Sequence, residues 1–199
     1  MLSLDASKAF DRVMYTKLFQ ILIDKSVCPL IIRFLINIYT ISSAIVSWNN
    51  ILSDPFNFKN GVKQGAVISA PLFAMYVDPL LNNVNECKKG CFIGGLCANA
   101  FSYADDIVLL SPSCTALRDM ILICETFADE YKIIFNPDKC TLLIFSNHDF
   151  NFNNINVTVC GKRVSNVIKE KHLGHIFKSQ YNMSYNLIDL DLVIKYLKV

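Results

Sequence analysis

The 199-residue sequence has no internal repeat, no low-complexity tract and no marked surplus of charge of either sign. The first two absences exclude a solenoid, a fibrous array and a flexible linker chain. The third bears on partners. Nineteen Lys and Arg against seventeen Asp and Glu leave a net charge of +2, too small to argue for a nucleic-acid ligand on charge alone. At 53% hydrophobic and 18% charged the chain can still bury a real core, in one large domain or one domain with an appendage.

Other signals are missing too. No basic segment followed by a short apolar run opens the chain, so no secretory leader is expected. Cys87, Cys91 and Cys97 lack CxxC spacing, and His172 stands too close to His175 for a zinc finger. The eight cysteines are therefore expected as reduced thiols of an intracellular protein, nuclear or cytoplasmic. The most apolar stretch, Pro29 to Trp48, is interrupted by Arg33 and Asn37. A central Arg alone costs about 2.5–3.5 kcal/mol in a bilayer, so a buried helix running into a strand is expected there, with no membrane partner.

Periodicity supplies an order of elements. Leu2 and Leu4 alternate with Ser3 up to Asp5, which reads as a strand end. Ser7 is placed to cap a helix over 8–24, with Phe10, Val13, Leu18, Ile21 and Leu22 on one face, and a second helix over 29–41 follows Pro29. Asn49 and Asn50 mark a hairpin turn, and Ser69 with Pro71 an N-cap region for a helix reaching about Asn85. TALRDMILICETFADEY is an amphipathic helix, Pro137 precedes the strand TLLIF, NHDFNFNN is the strongest linker candidate, and INVTVCGKRV is a hairpin turning at Gly161. Short strands interrupted by single helices predict an α+β fold, a sheet covered on one side.

Within FSYADDIVLL the carboxylates Asp105 and Asp106 interrupt an apolar run, where two like charges resist ionising together. Two readings stand: an exposed hairpin tip, or a cation held jointly with Asp5 if the strands are neighbours. Carboxylate oxygens suit Mg²⁺, which is held by one or two protein carboxylates and substrate phosphates.

Five segments, LDASKAFDRV (4–13), GVKQGAVISAPLF (61–73), SYADDIVLL (102–110), NPDKCTLLIF (136–145) and HLGHIF (172–177), occur in order and in register over 2–178. Together they resemble the palm motifs of reverse transcriptases, most closely the non-LTR (LINE-type) retrotransposon branch. The resemblance implies a polymerase palm-type antiparallel sheet covered by helices over 1–178. It further implies RNA-directed DNA synthesis, in which two Mg²⁺ ions, with Mn²⁺ as the alternative, add dNTPs to a DNA primer 3′-hydroxyl on an RNA template.

Position by position, Asp5, Asp105 and Asp106 match the metal-binding carboxylates, with Tyr103 opening the Y-x-D-D hairpin. Phe10 matches the aromatic gate that excludes a ribose 2′-hydroxyl, although a Phe at this helical spacing is by itself read as core. Gln64 and Gly65 match the pair lining the nucleotide and template pocket, and glycine permits close ligand approach. Lys139 matches a lysine near the triphosphate. Leu173 and Gly174 match the primer-grip turn, with His172 where Tyr is more usual. Asp11 is read as a surface residue. AVISAP departs from the family's small-Pro-Leu-Ser-Pro, which bears on pocket shape.

Residues 179–199 faintly resemble the start of the thumb-side connection, and the resemblance begins at the first residue, so fingers and thumb are expected to be largely missing and the isolated chain to have little activity. The alternatives are a non-catalytic remnant or co-opted nucleic-acid-binding module, and a group II intron or retron-type enzyme. Oligomeric state is not legible.

Overall fold

The computed structural model describes residues 1–146 and 155–179. Strand β1 (Leu2–Asp5) is followed by a 3₁₀ turn (Phe10–Arg12) and helices α1 (Tyr15–Asp24) and α2 (Pro29–Ile41). Four short strands come next: β2 (Ser43–Ala44), β3 (Ser47–Trp48), β4 (Ile51–Leu52) and β5 (Phe56–Asn57). Helix α3 (Ser69–Glu86) leads to β6 (Phe92–Ile93) and β7 (Leu96–Cys97), then to the hairpin of β8 (Ala100–Tyr103) and β9 (Asp106–Leu109). Helix α4 (Cys114–Tyr131) and β10 (Thr141–Leu143) follow. The chain continues through β11 (Thr158–Val159), β12 (Lys162–Arg163), β13 (Ser165–Val167), β14 (Lys169–His172) and β15 (His175–Lys178).

Five strands make the central sheet in the order β13-β10-β1-β9-β8. Strand β1 pairs antiparallel with β9 and β10, as β8 does with β9, but β10 and β13 run parallel. The expected antiparallel sheet is thus a mixed one. The cause is local: β13 continues the returning arm of the β11–β12 hairpin and so enters beside β10 in the same direction.

Side chains alternate across this sheet. Leu2, Leu4, Ile107, Leu109 and Leu142 join one hydrophobic cluster with Leu18 and Leu22 of α1, Phe73, Tyr76 and Leu80 of α3, and Met120 and Phe127 of α4. Each fully buried side chain of this size contributes roughly 1.5–3 kcal/mol. By the same alternation Ser3, Asp5, Asp106 and Thr141 fall on the opposite face, together with Val108 and Leu143, which are buried but outside that cluster. The helices therefore pack on one side of the sheet and the polar residues line the other.

Helix α4 starts where Ser113 caps it, its Oγ accepting from the Ala116 N–H at 3.2 Å, and ends at Lys132 in the left-handed region (φ 56°). Helix α2 has the predicted bounds, but its burial differs from expectation. Only Ile32, Leu35 and Tyr39 are buried, while Leu30, Ile31, Phe34 and Ile41 face solvent, because the strands after it pair among themselves and do not fold over it. Among the described residues no helix is long and apolar enough to cross a membrane.

The single helix expected over 8–24 is broken. Val13 and Met14 are extended, and Lys8 adopts φ 51°. The reason is tertiary competition for backbone acceptors: Val62 N–H donates to the Phe10 carbonyl at 2.8 Å and Gly61 N–H to that of Val13 at 2.8 Å. Ser7 caps nothing, and its own N–H donates to the Ile134 carbonyl at 2.8 Å. Ser69 likewise is no N-cap. Ile68 holds that position, and the Ser69 hydroxyl donates back to the Lys63 carbonyl at 2.6 Å. All eight cysteines are free. The linker NHDFNFNN and the thumb-side segment from residue 180 lie outside the described residues.

Candidate active site

Strand β1 places Asp5 at its C-terminal end, where its Cα partner across the ladder is Asp106, the first residue of β9. Asp106 in turn pairs with Tyr103 at the end of β8, so three of the expected residues stand in one row across adjacent strands. Ala104 and Asp105 form the two-residue turn of that hairpin, Ala104 with φ 53°. Asp105, Asp106 and Tyr103 are exposed. The hairpin-tip reading and the shared-cation reading of the Asp pair thus describe the same place.

The carboxylate of Asp5 is the most constrained of the three. Its Oδ2 is buried and has no hydrogen-bond partner among the described residues, which is costly for an acceptor unless another group satisfies it. Among the described residues the nearest cation is the Lys139 ammonium, with Nζ 3.9 Å from Oδ2, beyond hydrogen-bond reach. Ser3 Oγ and Thr141 Oγ1, from directly opposed residues on the same face, are buried and unpartnered as well.

Lys139 owes its position to a turn that the strand itself anchors. The Asn136 N–H donates to the Asp5 carbonyl at 2.9 Å, and the Asn136 carbonyl accepts from Lys139 N–H at 3.0 Å and Cys140 N–H at 3.1 Å. The Asn136 side chain closes the turn by accepting from Asp138 N–H at 3.1 Å. Burial pushes the adjacent Cys140 thiol up, partly offset by the Asp5 backbone. Asn136 was not singled out from the sequence, although NPD is the spacing of an Asx turn.

Phe10 is half-buried and stacks on Phe73 of α3, with centroids 4.8 Å apart and planes at 28°. The loop carrying Gln64 and Gly65 is stitched to the same turn by the Gly61 and Val62 N–H bonds already described. Both residues are exposed, and Gly65 (φ 85°) has nothing within 4 Å of where a Cβ would stand. Leu173 and Gly174 form the tight β14–β15 turn, with φ 49° and 82°. Positive φ at both positions suits a two-residue hairpin turn, but a bulky Leu there is uncommon.

The row brings Asp5 and Asp106 together, yet among the described residues no group of three or more His, Cys, Asp or Glu side chains is assembled to hold a metal. A divalent cation fits a two-carboxylate site all the same, because Mg²⁺ takes one or two protein carboxylates and draws its remaining ligands from water and substrate phosphates. The orphaned Asp5 Oδ2 is the atom such an ion would satisfy.

Tyr76 of α3 is fully buried. Its hydroxyl donates to the Tyr131 carbonyl at 2.7 Å and accepts from Met14 N–H at 3.3 Å, tying the broken start of α1 to α3 and to the end of α4.

Comparison with known proteins finds relatives among proteins of transposable elements. A 149 kDa protein of transposon TX1 from Xenopus laevis is 27% identical over 194 residues, 96% of this chain and 14% of that protein. The Pol polyprotein of the type-2 retrotransposable element R2DM from Drosophila melanogaster is 28% identical over 138 residues, 69% of this chain and 13% of the relative. That of the type-1 element R2 from Popillia japonica is 27% identical over 143 residues, covering 23% of the relative. The chain thus spans less than a quarter of each of these relatives. Residues 1–183 match the family described as reverse transcriptase (RNA-dependent DNA polymerase), and the chain belongs to that family.

Proposed function

We propose that this chain is the palm portion of a retrotransposon polymerase, a nucleotidyltransferase that adds dNTPs to a DNA primer 3′-hydroxyl on an RNA template. The observation that carries the reading is the row of Asp5, Asp106 and Tyr103 across three paired strands, with a buried, unpartnered Asp5 oxygen in it. Asp5 and Asp106 would hold Mg²⁺, with Asp105 beside them on the turn, and two ions are the number proposed. Bound there, the metal supplies a Lewis acid that activates the hydroxyl and offsets charge on the triphosphate.

The chain's own groups do the positioning. The ring of Phe10, braced by Phe73, is the surface against which a sugar would be sized. Gln64 and Gly65 would line the nucleotide and template site, where Gly65 has nothing within 4 Å of a Cβ position. Lys139 offers a mobile positive charge to the triphosphate. The Leu173–Gly174 turn would hold the primer strand.

The test is incorporation of a single labelled dNTP onto a primer annealed to RNA, with and without Mg²⁺. Addition that requires Mg²⁺ and falls at least a hundredfold in Asp105→Ala and Asp106→Asn is the expected result. Absence of any Asp-dependent addition, both by this chain and by one extended with fingers and thumb segments, overturns it. It would favour a non-catalytic nucleic-acid-binding module, a reading that draws on the lack of a preassembled three-ligand group among the described residues.

A further inference from the structure

We infer that Lys139 and a divalent cation compete for the same buried oxygen of Asp5, so that the lysine serves as a resident counter-ion before metal enters. The inference rests on the proposed metal role of Asp5. Oδ2 of Asp5 is buried without a hydrogen-bond partner, and the Lys139 ammonium stands 3.9 Å from it. That distance is too long for a hydrogen bond but close enough for charge to act.

Three features make the ammonium a place-holder and not a fixed ligand. Its side chain is 65% exposed, so the head can leave along a solvated path. Its neighbour Asp138 is already paired with Lys162, leaving Asp5 as the carboxylate within ion-pair distance of Lys139 among the described residues. Its backbone is fastened to β1 through Asn136, so the head returns to the same place whenever nothing stronger occupies it.

A divalent ion and an ammonium within a few ångströms of one carboxylate oxygen repel each other. Metal entry must therefore push Lys139 away, and a polyanion such as a triphosphate gives the displaced charge somewhere to go. The arrangement couples the loading of metal to the arrival of substrate. A lysine suits this better than an arginine, being a compact charge on a flexible stem.

The experiment is a Mn²⁺ titration at fixed pH and low ionic strength, without nucleotide, reading free ion by electron paramagnetic resonance. It compares the unaltered chain with Lys139→Met, Lys139→Gln, Lys139→Arg and Asp5→Asn. The two neutral variants are expected to bind Mn²⁺ roughly three- to fivefold tighter, as suits loss of an exposed charge partner, and Lys139→Arg to bind like the parent. Added KCl should narrow the difference, which a merely structural lysine would not show. Unchanged or weaker binding in both neutral variants, with the Asp5-dependent site still present in the parent, overturns the inference while sparing the metal reading. If Asp5→Asn binds Mn²⁺ as tightly as the parent, the metal reading itself fails and takes the inference with it.

Discussion

Asp5 on β1 stands directly opposite Asp106 on β9, two carboxylates facing each other across an antiparallel ladder. Opposed side chains on one face approach within about 4.5–5.5 Å at Cβ, and like charges so placed destabilise a sheet by about 0.2–1 kcal/mol. A sheet with no use for the pair would gain by replacing one of them.

The first prediction follows from that conflict. With EDTA present at neutral pH, Asp106→Asn should be more stable than the parent by up to about 1 kcal/mol in urea unfolding. Excess Mg²⁺ should shrink or reverse that gain, because only the parent keeps both proposed ligands. Equal stability in EDTA would show that the two charges do not feel each other.

Tyr76→Phe tests the join between α1, α3 and α4. Removing the hydroxyl leaves the Tyr131 carbonyl and the Met14 N–H short of a partner, at an expected cost of about 1–3 kcal/mol. The urea midpoint should fall with little change in slope. No change in midpoint would mean water replaces both bonds freely.

Gly61 and Gly65 both have positive φ, 93° and 85°, but only Gly61 is crowded, a Cβ there meeting the Asp11 carbonyl oxygen at 2.9 Å. Ala at Gly65 should cost only the backbone strain of about 1–2 kcal/mol, and Ala at Gly61 clearly more, since backbone must also shift. Thermal unfolding of the two variants side by side decides it, and equal losses would refute the close approach.

Burial within α4 pushes the Cys124 thiol up to about 12 from an ordinary value of 9.0. Below pH 9 the thiol is neutral whether the chain is folded or not, and its burial costs nothing extra. Between about pH 9 and 12 the unfolded chain ionises while the folded one holds its proton. Stability then falls by about 1.4 kcal/mol per pH unit, about 4 kcal/mol in all. Tyr15, Tyr39 and Tyr76, also raised by burial, add to the same alkaline loss. Urea unfolding at several pH values should show a shallower decline in Cys124→Ala than in the parent, and identical declines would clear the thiol of the effect.

Sequence reading located α2 from Pro29 and α3 and α4 from their apolar spacing, each within about one residue of its observed bounds. Between residues 8 and 24 the apolar spacing ran on through a break that no local signal marks, because the break is made by Gly61 and Val62, some fifty residues away in the chain. The parallel pairing of β10 with β13 was equally hidden, since three-residue strands carry no sign of direction. In the site, the alternation of Ser3 and Asp5 told which face they occupy but not which strand lies beside them. The neighbours were suggested by the order of the five motifs, and the register supplied what the motifs lacked: Asp106, not Asp105, is the residue opposite Asp5. Asn136 joins β1 to the Lys139 turn through its backbone, a long-range link that the NPD spacing does not show.

Strand β1 is central in space yet lies at residues 2–5, flanked by strands that come about a hundred residues or more later in the chain. On a ribosome it would wait, unpaired, through the synthesis of α1, α2 and α3, and could close its ladders only once residues up to about 143 had emerged. Such non-local pairing is slow and leaves an edge open to the wrong neighbour meanwhile. The carboxylate row therefore cannot form until β9 has been made, about a hundred residues after Asp5.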